Sequence, residues 1–275
     1  MKSHASTVSG HTMARRCSGV MLLTGSGGSG SPFLMRRVGY WDRSTSEVYQ
    51  RFDLLRLESA LTKGGRSIMN KYLTEFIGTF FLVLTIGCSV IGGGPSVVPP
   101  LAIGAILMVM VYAGGHVSGG HYNPAVTLGL WMRGRCDTTD VAPYWVAQIV
   151  GALAAAFATK FIVGPTDVAI GPRIGPALLA EFLFTFALVY VVLNVATSKA
   201  SMGNPFYGAA IGMTVMAGAF SVGMVSGAAF NPAVAIGIST MGLIPPTSIW
   251  IHIVADMAAA AAAAMLFKYM HPEDR

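Results

Sequence analysis

Ser118-Gly-Gly-His-Tyr-Asn-Pro-Ala-Val-Thr127 and Ser226-Gly-Ala-Ala-Phe-Asn-Pro-Ala-Val234 decide the fold of this chain, because they are two copies of one segment. In both copies the Ser-Gly pair precedes Asn-Pro-Ala-Val by the same interval, and Asn231 follows Asn123 by 108 positions. Self-similarity at a period close to half the length of an apolar chain indicates a duplicated unit and a two-fold membrane architecture.

A second landmark repeats at nearly the same spacing. Leu73-Thr-Glu-Phe-Ile-Gly-Thr-Phe80 reappears as Leu179-Ala-Glu-Phe-Leu-Phe-Thr-Phe186, so that Glu181 follows Glu75 by 106 positions. The two landmarks are independent and lie on segments that are otherwise free of charge. We therefore predict two repeats, the first at about 69–163 and the second at about 173–268.

The composition is that of a membrane protein. Hydrophobic residues make up 53% of the chain and charged residues 11%, which is unlike a water-soluble domain. A spanning helix needs about 20 mostly apolar residues. Gly- and Pro-containing turns divide the long uncharged stretches into six predicted spans, at 70–91, 99–117, 140–163, 175–197, 206–225 and 247–268.

Two apolar segments, at 123–132 and 231–242, are too short to cross a bilayer. Each begins with Asn-Pro, and Asn is a good N-cap while Pro suits the first helical position. Each repeat is therefore predicted to hold three spans and one re-entrant half-helix. Since three is an odd number of crossings, the second repeat must be inverted, and the half-helices meet N-terminus to N-terminus near the bilayer centre. The predicted fold class is an all-α membrane protein.

The excess positive charge lies outside the repeats. Residues 1–68 carry ten Lys and Arg against four Asp and Glu, whereas residues 69–275 carry eight of each. The first segment includes a Gly/Ser run at 24–31 and has no apolar stretch long enough to span. We predict that 1–68 is an N-terminal extension, either disordered or absent because translation begins at Met69. A nucleic-acid partner is not predicted for the membrane domain, 69–275.

Basic residues at the ends of the predicted spans favour one orientation. Cytoplasmic loops carry an excess of Lys and Arg. With the amino terminus inside, Lys160 and Arg173 lie outside, and six basic residues lie inside: Lys71, Arg133, Arg135, Lys199, Lys268 and Arg275. We expect a multi-pass protein of the cell membrane with both termini in the cytoplasm.

The three cysteines, Cys17, Cys88 and Cys136, have neither a pairable framework nor the spacing of a metal site. We predict no disulfide, no metal and no cofactor.

The two Asn-Pro-Ala-Val loops resemble the signature loops of the aquaporin or major intrinsic protein family. Supporting residues are Glu75 and Glu181 in the first helix of each half, and Gln148 and Gly151 in the third span. The resemblance covers 69–275. It implies a six-helix bundle with a pore through each subunit, a passive channel rather than an enzyme, and a homotetramer in the lipid bilayer.

The resemblance also implies which residues form the pore. The central site would be Asn123, Pro124 and Ala125 with Asn231, Pro232 and Ala233. Half-helix N-termini carry partial positive charge and would repel cations at the midplane, while the asparagine amides donate hydrogen bonds to water or an alcohol. Glu75 and Glu181 are expected to accept hydrogen bonds from the loop backbones and from Ser118 and Ser226. His121 has either a pore contact or a structural role. For Glu75 and Glu181, a proton relay is the alternative to a structural role.

At one position the chain departs from the family. Most members have Arg after the second Asn-Pro-Ala, at the narrowest constriction, and this chain has Val234. Counting along the matching loops places the other filter positions at Ile103, Ala219 and Ala228. A ring without donors or large aromatic side chains should be wider and less polar than a water-specific filter. We expect passage of water or small neutral solutes such as glycerol, urea, hydrogen peroxide, ammonia or metalloid acids.

Asp256 is unexpected, because the family commonly has an uncharged residue at this place. It lies 108 positions after Gln148, and His252 precedes it by one helical turn on the same face. A buried His252–Asp256 pair is the plain interpretation, and a modified pore lining is the alternative.

Two other functions stay open at this point. One is a structural pore or a pore that leaks cations weakly, since Val234 removes a charge barrier. The other is an intramembrane hydrolase that uses Ser118 with a nearby histidine, against which the second repeat places no histidine near Ser226 and no nucleophile turn surrounds Ser118.

Overall fold

The computed structural model describes residues 68–93, 96–166 and 170–274, and almost all of the predicted extension 1–68 lies outside the described residues. The first half contains α1 (Ile68–Ile91), α2 (Val98–Ser118), α3 (Pro124–Arg133) and α4 (Thr138–Val163). The second half contains α5 (Ile174–Val192, extended by a π-helical turn to Thr197), α6 (Tyr207–Ser226), α7 (Pro232–Met241) and α8 (Ile249–Met270). Short 3₁₀ turns lie at Lys199–Ser201 and Pro246–Ser248.

Six of these helices are long and apolar enough to cross a membrane within the described part of the chain. The two others, α3 and α7, have ten residues each and begin at the two Asn-Pro pairs. The all-α architecture thus follows the prediction of six spans and two half-helices, with helix ends within three residues of those expected.

Glycines in the left-handed conformation end the helices that lead into the two half-helices. Gly119 after α2 has a φ of 91°, and Gly227 after α6 has a φ of 93°. Glycine adopts this conformation without the steric cost of a Cβ atom. At both points the chain turns back toward the molecular interior instead of leaving the membrane.

The helices pack in a pattern that the two halves share. Helix α3 of the first half packs against α8 of the second, and α7 of the second half packs against α4 of the first. The equivalent helices α2 and α6 pack against each other, and α3 and α7 also meet. Each half therefore encloses the re-entrant helix of the other, which is the arrangement expected of inverted repeats.

The surface is apolar, and several polar side chains are buried among the hydrophobic residues of the interior. Phe161 and Met224 are 92% and 86% exposed, whereas Glu75, Gln148 and Glu181 are completely buried. Exposed apolar side chains suit a lipid environment, and intramembrane polar groups require partners inside the protein.

The contact between α2 and α6 depends on two glycines. A Cβ atom on Gly212 would lie 2.4 Å from the carbonyl oxygen of Gly104, and one on Gly104 would lie 2.8 Å from the carbonyl oxygen of Gly212. Small residues allow helix backbones to approach closely in membranes. The absence of side chains at these positions sets the distance between the two central helices.

Gly212→Ala should destabilise the protein by about 1–3 kcal/mol, because the added methyl group meets a backbone that cannot move locally. Gly223→Ala on the same helix is the matched control, since its Cβ atom would meet nothing within 4 Å. Thermal unfolding in detergent measures both. Equal melting temperatures for the two variants would contradict the close approach of α2 and α6.

Candidate pore

A cavity of about 590 Å³ runs through the centre of the described structure and is lined by both re-entrant loops. Along α2 it extends from Ile103 to Gly119, which corresponds to about 24 Å at the helical rise per residue. The apolar thickness of a bilayer is about 30 Å. The cavity therefore covers most of the distance that a molecule must travel across the membrane.

The two Asn-Pro-Ala segments meet at the middle of this cavity, and both asparagines line it. Asn123 Oδ1 accepts a hydrogen bond from the backbone N–H of Ala125 at 2.8 Å, and Asn231 Oδ1 accepts one from Ala233 at 2.9 Å. Each asparagine thus caps the N-terminus of its own half-helix.

The same asparagines also connect the two halves. Asn123 Nδ2 donates to the carbonyl oxygen of Phe230 at 2.8 Å, and Asn231 Nδ2 donates to the carbonyl oxygen of Tyr122 at 2.8 Å. A carboxamide has two N–H groups, so one of the two is used in this reciprocal contact. The contact holds the half-helices tip to tip.

The residues before the asparagines have an uncommon backbone conformation. Tyr122 and Phe230 have φ values of 50° and 48°, and both side chains are buried. Left-handed backbone is unfavourable for bulky residues and persists only where surrounding contacts hold it. Here the carbonyl groups accept the asparagine amides, while the Tyr122 ring fills the space beside Gly78 and Gly114.

Glu75 anchors the first pore loop. Its Oε1 accepts hydrogen bonds from Ser118 Oγ at 2.6 Å and from the backbone N–H of His121 at 2.9 Å, and its Oε2 accepts from the N–H of Tyr122 at 2.6 Å. Gln148 Nε2 donates a further bond to Oε2 at 2.8 Å. A fully buried carboxylate is thereby supplied with four donors.

Glu181 has the equivalent position in the second loop. It accepts hydrogen bonds from Ser226 Oγ, from the backbone N–H of Ala229 at 3.1 Å and from that of Phe230 at 2.7 Å. In both loops, the glutamate thus accepts from the serine hydroxyl and from two backbone N–H groups. The result is that irregular backbone deep in the membrane has its N–H groups satisfied inside the protein.

His121 lies at the cavity wall and also makes structural contacts. Its Nδ1 is 3.1 Å from Thr127 Oγ1, and its ring packs edge-on against Tyr144 at 5.0 Å. Both of the roles considered from the sequence are therefore compatible with its position.

Of the four predicted filter positions, Ile103, Ala228 and Val234 line the cavity. Ala219 is buried on α6 and is not among the described residues that form the lining; Val215, one turn earlier, contributes instead. The difference arises because a count along the chain places a residue at a level of the helix but does not fix which side faces the lumen.

The lining is nearly uncharged. Among the described residues that border the cavity, Arg135 is the only one with an Asp, Glu, Lys or Arg side chain, and it lies at the end where Ser198 and Ser201 also contribute. The central region thus has asparagine amides, backbone groups and aliphatic side chains.

The expected His252–Asp256 pair is wrong. The two ring nitrogens of His252 face carbonyl oxygens, Nε2 that of Ser226 at 2.9 Å and Nδ1 that of Ser248 at 3.3 Å. Asp256 instead accepts a hydrogen bond from Thr185 Oγ1 at 2.8 Å. One helical turn aligns the two residues on α8, but each of them faces a partner that only the tertiary structure provides.

The C-terminal segment contacts α3 and the segment after α5 through Asp274, which the sequence did not predict. Asp274 accepts hydrogen bonds from Arg133 Nη2 and from the backbone N–H of Lys199, both at 2.8 Å. Arg133 also lies over the Phe267 ring at 4.6 Å. The segment 198–204, which borders the cavity mouth, is thereby tied to α3 and to the end of α8. An Arg and an Asp 141 positions apart carry no local signal of this contact.

The family model described as Major intrinsic protein matches residues 63–269. Aquaporin NIP1-4 from Oryza sativa is 36% identical over 211 residues, covering 73% of this chain and 77% of the relative. Glycerol uptake facilitator protein-like 6 from Lactiplantibacillus plantarum is 37% identical over 220 residues, covering 75% of this chain and all of the relative.

A solved structure, that of the aquaglyceroporin from Plasmodium falciparum, superposes with a TM-score of 0.62. Its sequence identity is 18%, and the match covers 73% of this chain and 95% of the other. At this identity the likeness shows a shared fold.

Asp274→Asn should loosen the segment 197–204 at neutral pH. The backbone N–H of Lys199, together with Ser198 and Arg133, lowers the pKa of Asp274 below its ordinary value of 3.8. A lowered native pKa means that the ionised carboxylate stabilises the folded state above the ordinary value, and that this support is lost as the pH falls below it through the native pKa. In the wild type, therefore, the segment should loosen only in acid.

Hydrogen exchange of 197–204, corrected for the intrinsic rate at each pH, measures this effect. Glu273→Gln is the control, because the contact of Glu273 with Lys199 uses a backbone carbonyl. Equal protection of the segment in the Asp274→Asn and Glu273→Gln variants at pH 7 would refute the anchoring role.

Proposed function

Since the chain belongs to the major intrinsic protein family and is a membrane channel for water and small solutes, we propose that its pore admits small uncharged solutes such as glycerol or urea as well as water. The protein is a channel and not an enzyme.

The observation that carries this proposal is the lining beside the second half-helix. Ile103, Ala228 and Val234 border the cavity, and none of their side chains can donate a hydrogen bond or hold a charge. Val234 is 3% exposed, so its side chain is part of the enclosed wall. An aliphatic wall favours the carbon skeleton of a polyol or the flat face of urea more than a polar constriction does.

The two asparagines would supply the central hydrogen bonds. One amide N–H of each is used in the contact between the halves, and the second is available to the oxygen of a molecule in the file. A water whose lone pairs are both occupied there cannot readily pass a proton to its neighbour.

The half-helices would exclude cations. Helices α3 and α7 point their N-termini at the same region, and each N-terminus is equivalent to roughly half a positive charge. In a lining without acidic side chains this potential opposes protons and metal ions but leaves neutral molecules nearly unaffected. Because Val234 contributes no charge, cation exclusion at the centre of the pore would depend on the half-helices, with Arg135 at one end of the cavity as a further positive charge.

The name of the Lactiplantibacillus plantarum relative supports glycerol as one of the solutes, since that protein is called a glycerol uptake facilitator protein-like protein. The aliphatic lining agrees with this choice. Hydrogen peroxide, ammonia and metalloid acids are smaller than glycerol or similar to it in size, and we propose that they also pass.

We also propose that both termini lie in the cytoplasm of a cell-membrane protein. The contacts of Asp274 with Arg133 and Lys199, and of Asp140 with Lys71, gather basic residues at one end of the helices, while Lys160 and Arg173 belong to the other end. This asymmetry supports the orientation.

Labelling single cysteines at positions 160 and 268 from outside intact cells tests this orientation. We expect labelling at position 160, and labelling at position 268 alone would reverse the orientation.

A homotetramer is proposed for the assembled channel. All six spanning helices expose large apolar side chains, which can contact either lipid or a neighbouring subunit. Native mass spectrometry of the purified channel counts the subunits, and a monomer under mild detergent conditions would oppose the proposal.

Proteoliposomes that contain the purified chain should swell in response to both water and glycerol gradients, with no increase in proton or potassium permeability over empty vesicles. Stopped-flow light scattering measures the neutral solutes, and internal dyes report the ions. Ion flux without solute flux would favour a leaking pore, and no flux of either kind would favour a structural protein.

Val234→Arg should reduce glycerol permeability by roughly tenfold or more while water permeability falls less, because a guanidinium narrows the lumen and adds donors. Val234→Leu is the matched control, since it adds volume without charge. The amount of folded channel in the vesicles is determined for both variants. If folded Val234→Arg retained the glycerol permeability of the wild type, the position of Val234 in the filter would be wrong.

A further inference from the structure

A cluster of ionisable side chains lies behind the second pore loop and outside the cavity lining. It consists of Glu181 on α5 with His252 and Asp256 on α8, and all three are completely buried. Glu181 holds the loop, but the pore described above gives no role to the other two. Charged groups in a membrane interior are costly unless they are paired.

The corresponding place in the first half is occupied by neutral side chains. Tyr144 donates from its hydroxyl to the carbonyl oxygen of Ser118 at 2.7 Å, and Gln148 donates from Nε2 to Glu75 at 2.8 Å. Both donors are on α4, one helical turn apart. Helix α4 thus supports the first loop with one donor to a backbone carbonyl group of the loop and one donor to Glu75.

In the second half, His252 makes the contact that Tyr144 makes in the first. Its Nε2 lies 2.9 Å from the carbonyl oxygen of Ser226, the residue equivalent to Ser118. Asp256, one turn later, then occupies the place of Gln148. A carboxylate at this place cannot donate, whereas a carboxylic acid can.

One of the two carboxyl oxygens of Asp256 lacks a hydrogen-bond partner. Its Oδ1 accepts from Thr185 Oγ1 at 2.8 Å, while its buried Oδ2 has no hydrogen-bond partner among the described residues. The carboxyl group lies beside that of Glu181. Two carboxyl oxygens that face each other in an apolar interior are favourable only when a proton lies between them.

The charges around the two carboxyls also indicate that one of them is protonated. Among the described residues, His252 is the only basic side chain beside this pair of carboxyls, and it lies next to Glu181, with its Nε2 3.7 Å from Glu181 Oε1. A protonated imidazole balances one carboxylate at most. Whatever the state of His252, the second carboxyl would be an unbalanced charge at membrane depth unless it is protonated.

The hydrogen bonds identify which carboxyl holds the proton. Glu181 accepts from Ser226 Oγ and from two backbone N–H groups, so it is stabilised as the anion, whereas Asp256 accepts from Thr185 Oγ1 and has only one backbone N–H, that of Asn231, beside it. We propose that Asp256 is a protonated carboxylic acid in the folded channel and donates its hydrogen bond to Glu181, thereby positioning the second pore loop as Gln148 positions the first.

Infrared spectroscopy of the wild-type channel at pH 7 tests the proposal directly, without regard to which solute crosses. A protonated carboxyl has a C=O stretching band separate from the carboxylate bands. We expect one such band that shifts when aspartate side chains are labelled with ¹³C and does not shift when glutamate side chains are labelled. Absence of the band, or a shift with labelled glutamate alone, would overturn the assignment.

Two substitutions at Asp256 test the positioning role. Asp256→Asn keeps a donor of the same shape, so the acid band should disappear while water permeability stays within about twofold of the wild type. Asp256→Leu keeps the number and branching of the side-chain heavy atoms but removes the donor, and permeability per folded channel should fall by roughly fivefold or more. Equal permeability of these two folded variants would contradict a positioning role, and the labelled wild-type spectrum decides the protonation state even if Asp256→Leu does not fold.

Gln148→Glu is the matched variant in the first half. It places two carboxyls beside each other there, as Glu181 and Asp256 are in the second half, and should add a second acid band that shifts with labelled glutamate. A spectrum without this additional band would show that facing carboxyls in this fold do not require a shared proton, and would overturn the physical basis of the proposal.

Discussion

The structure depends on supplying hydrogen-bond partners to irregular backbone where no water is available. A bilayer interior tolerates non-helical chain only if the protein itself satisfies the exposed N–H and C=O groups. Glu75 and Glu181 do this for the loop N–H groups, and Asn123 and Asn231 do it for the carbonyl groups of the opposite half. The buried acids are therefore necessary for a lumen, even though they do not line it.

The two halves share their hydrogen-bond contacts more closely than they share their residue types. Tyr144 and His252 are chemically unlike, yet each supports the carbonyl group of a serine at the start of a pore loop. Glycine and alanine likewise replace each other between Gly120 and Ala228, both with left-handed backbone. What the duplication preserves is a set of donors and acceptors at fixed positions, and several side chains can provide them.

Much of this could be predicted from the sequence because the decisive signals are local or repeated. Asn-Pro predicts a capped helix start, and a long segment without charged residues predicts a membrane span, so the eight α-helices of the described residues followed from patterns within single segments. The orientation of Ala219, the separate partners of His252 and Asp256, and the contact of Arg133 with Asp274 did not follow. These depend on helix rotation and on residues far apart in the chain, which no local pattern specifies.

The reciprocal asparagine contacts have a consequence for synthesis on the ribosome. Asn123 emerges 108 positions before Asn231, which is about 5–20 s at a rate of roughly 5–20 residues per second. During that interval the first loop lacks the carbonyl group of Phe230, and the carbonyl group of Tyr122 lacks its donor. The nascent chain must keep this loop near water or in the insertion machinery until its counterpart arrives, so the first re-entrant segment is made early and reaches its final depth late.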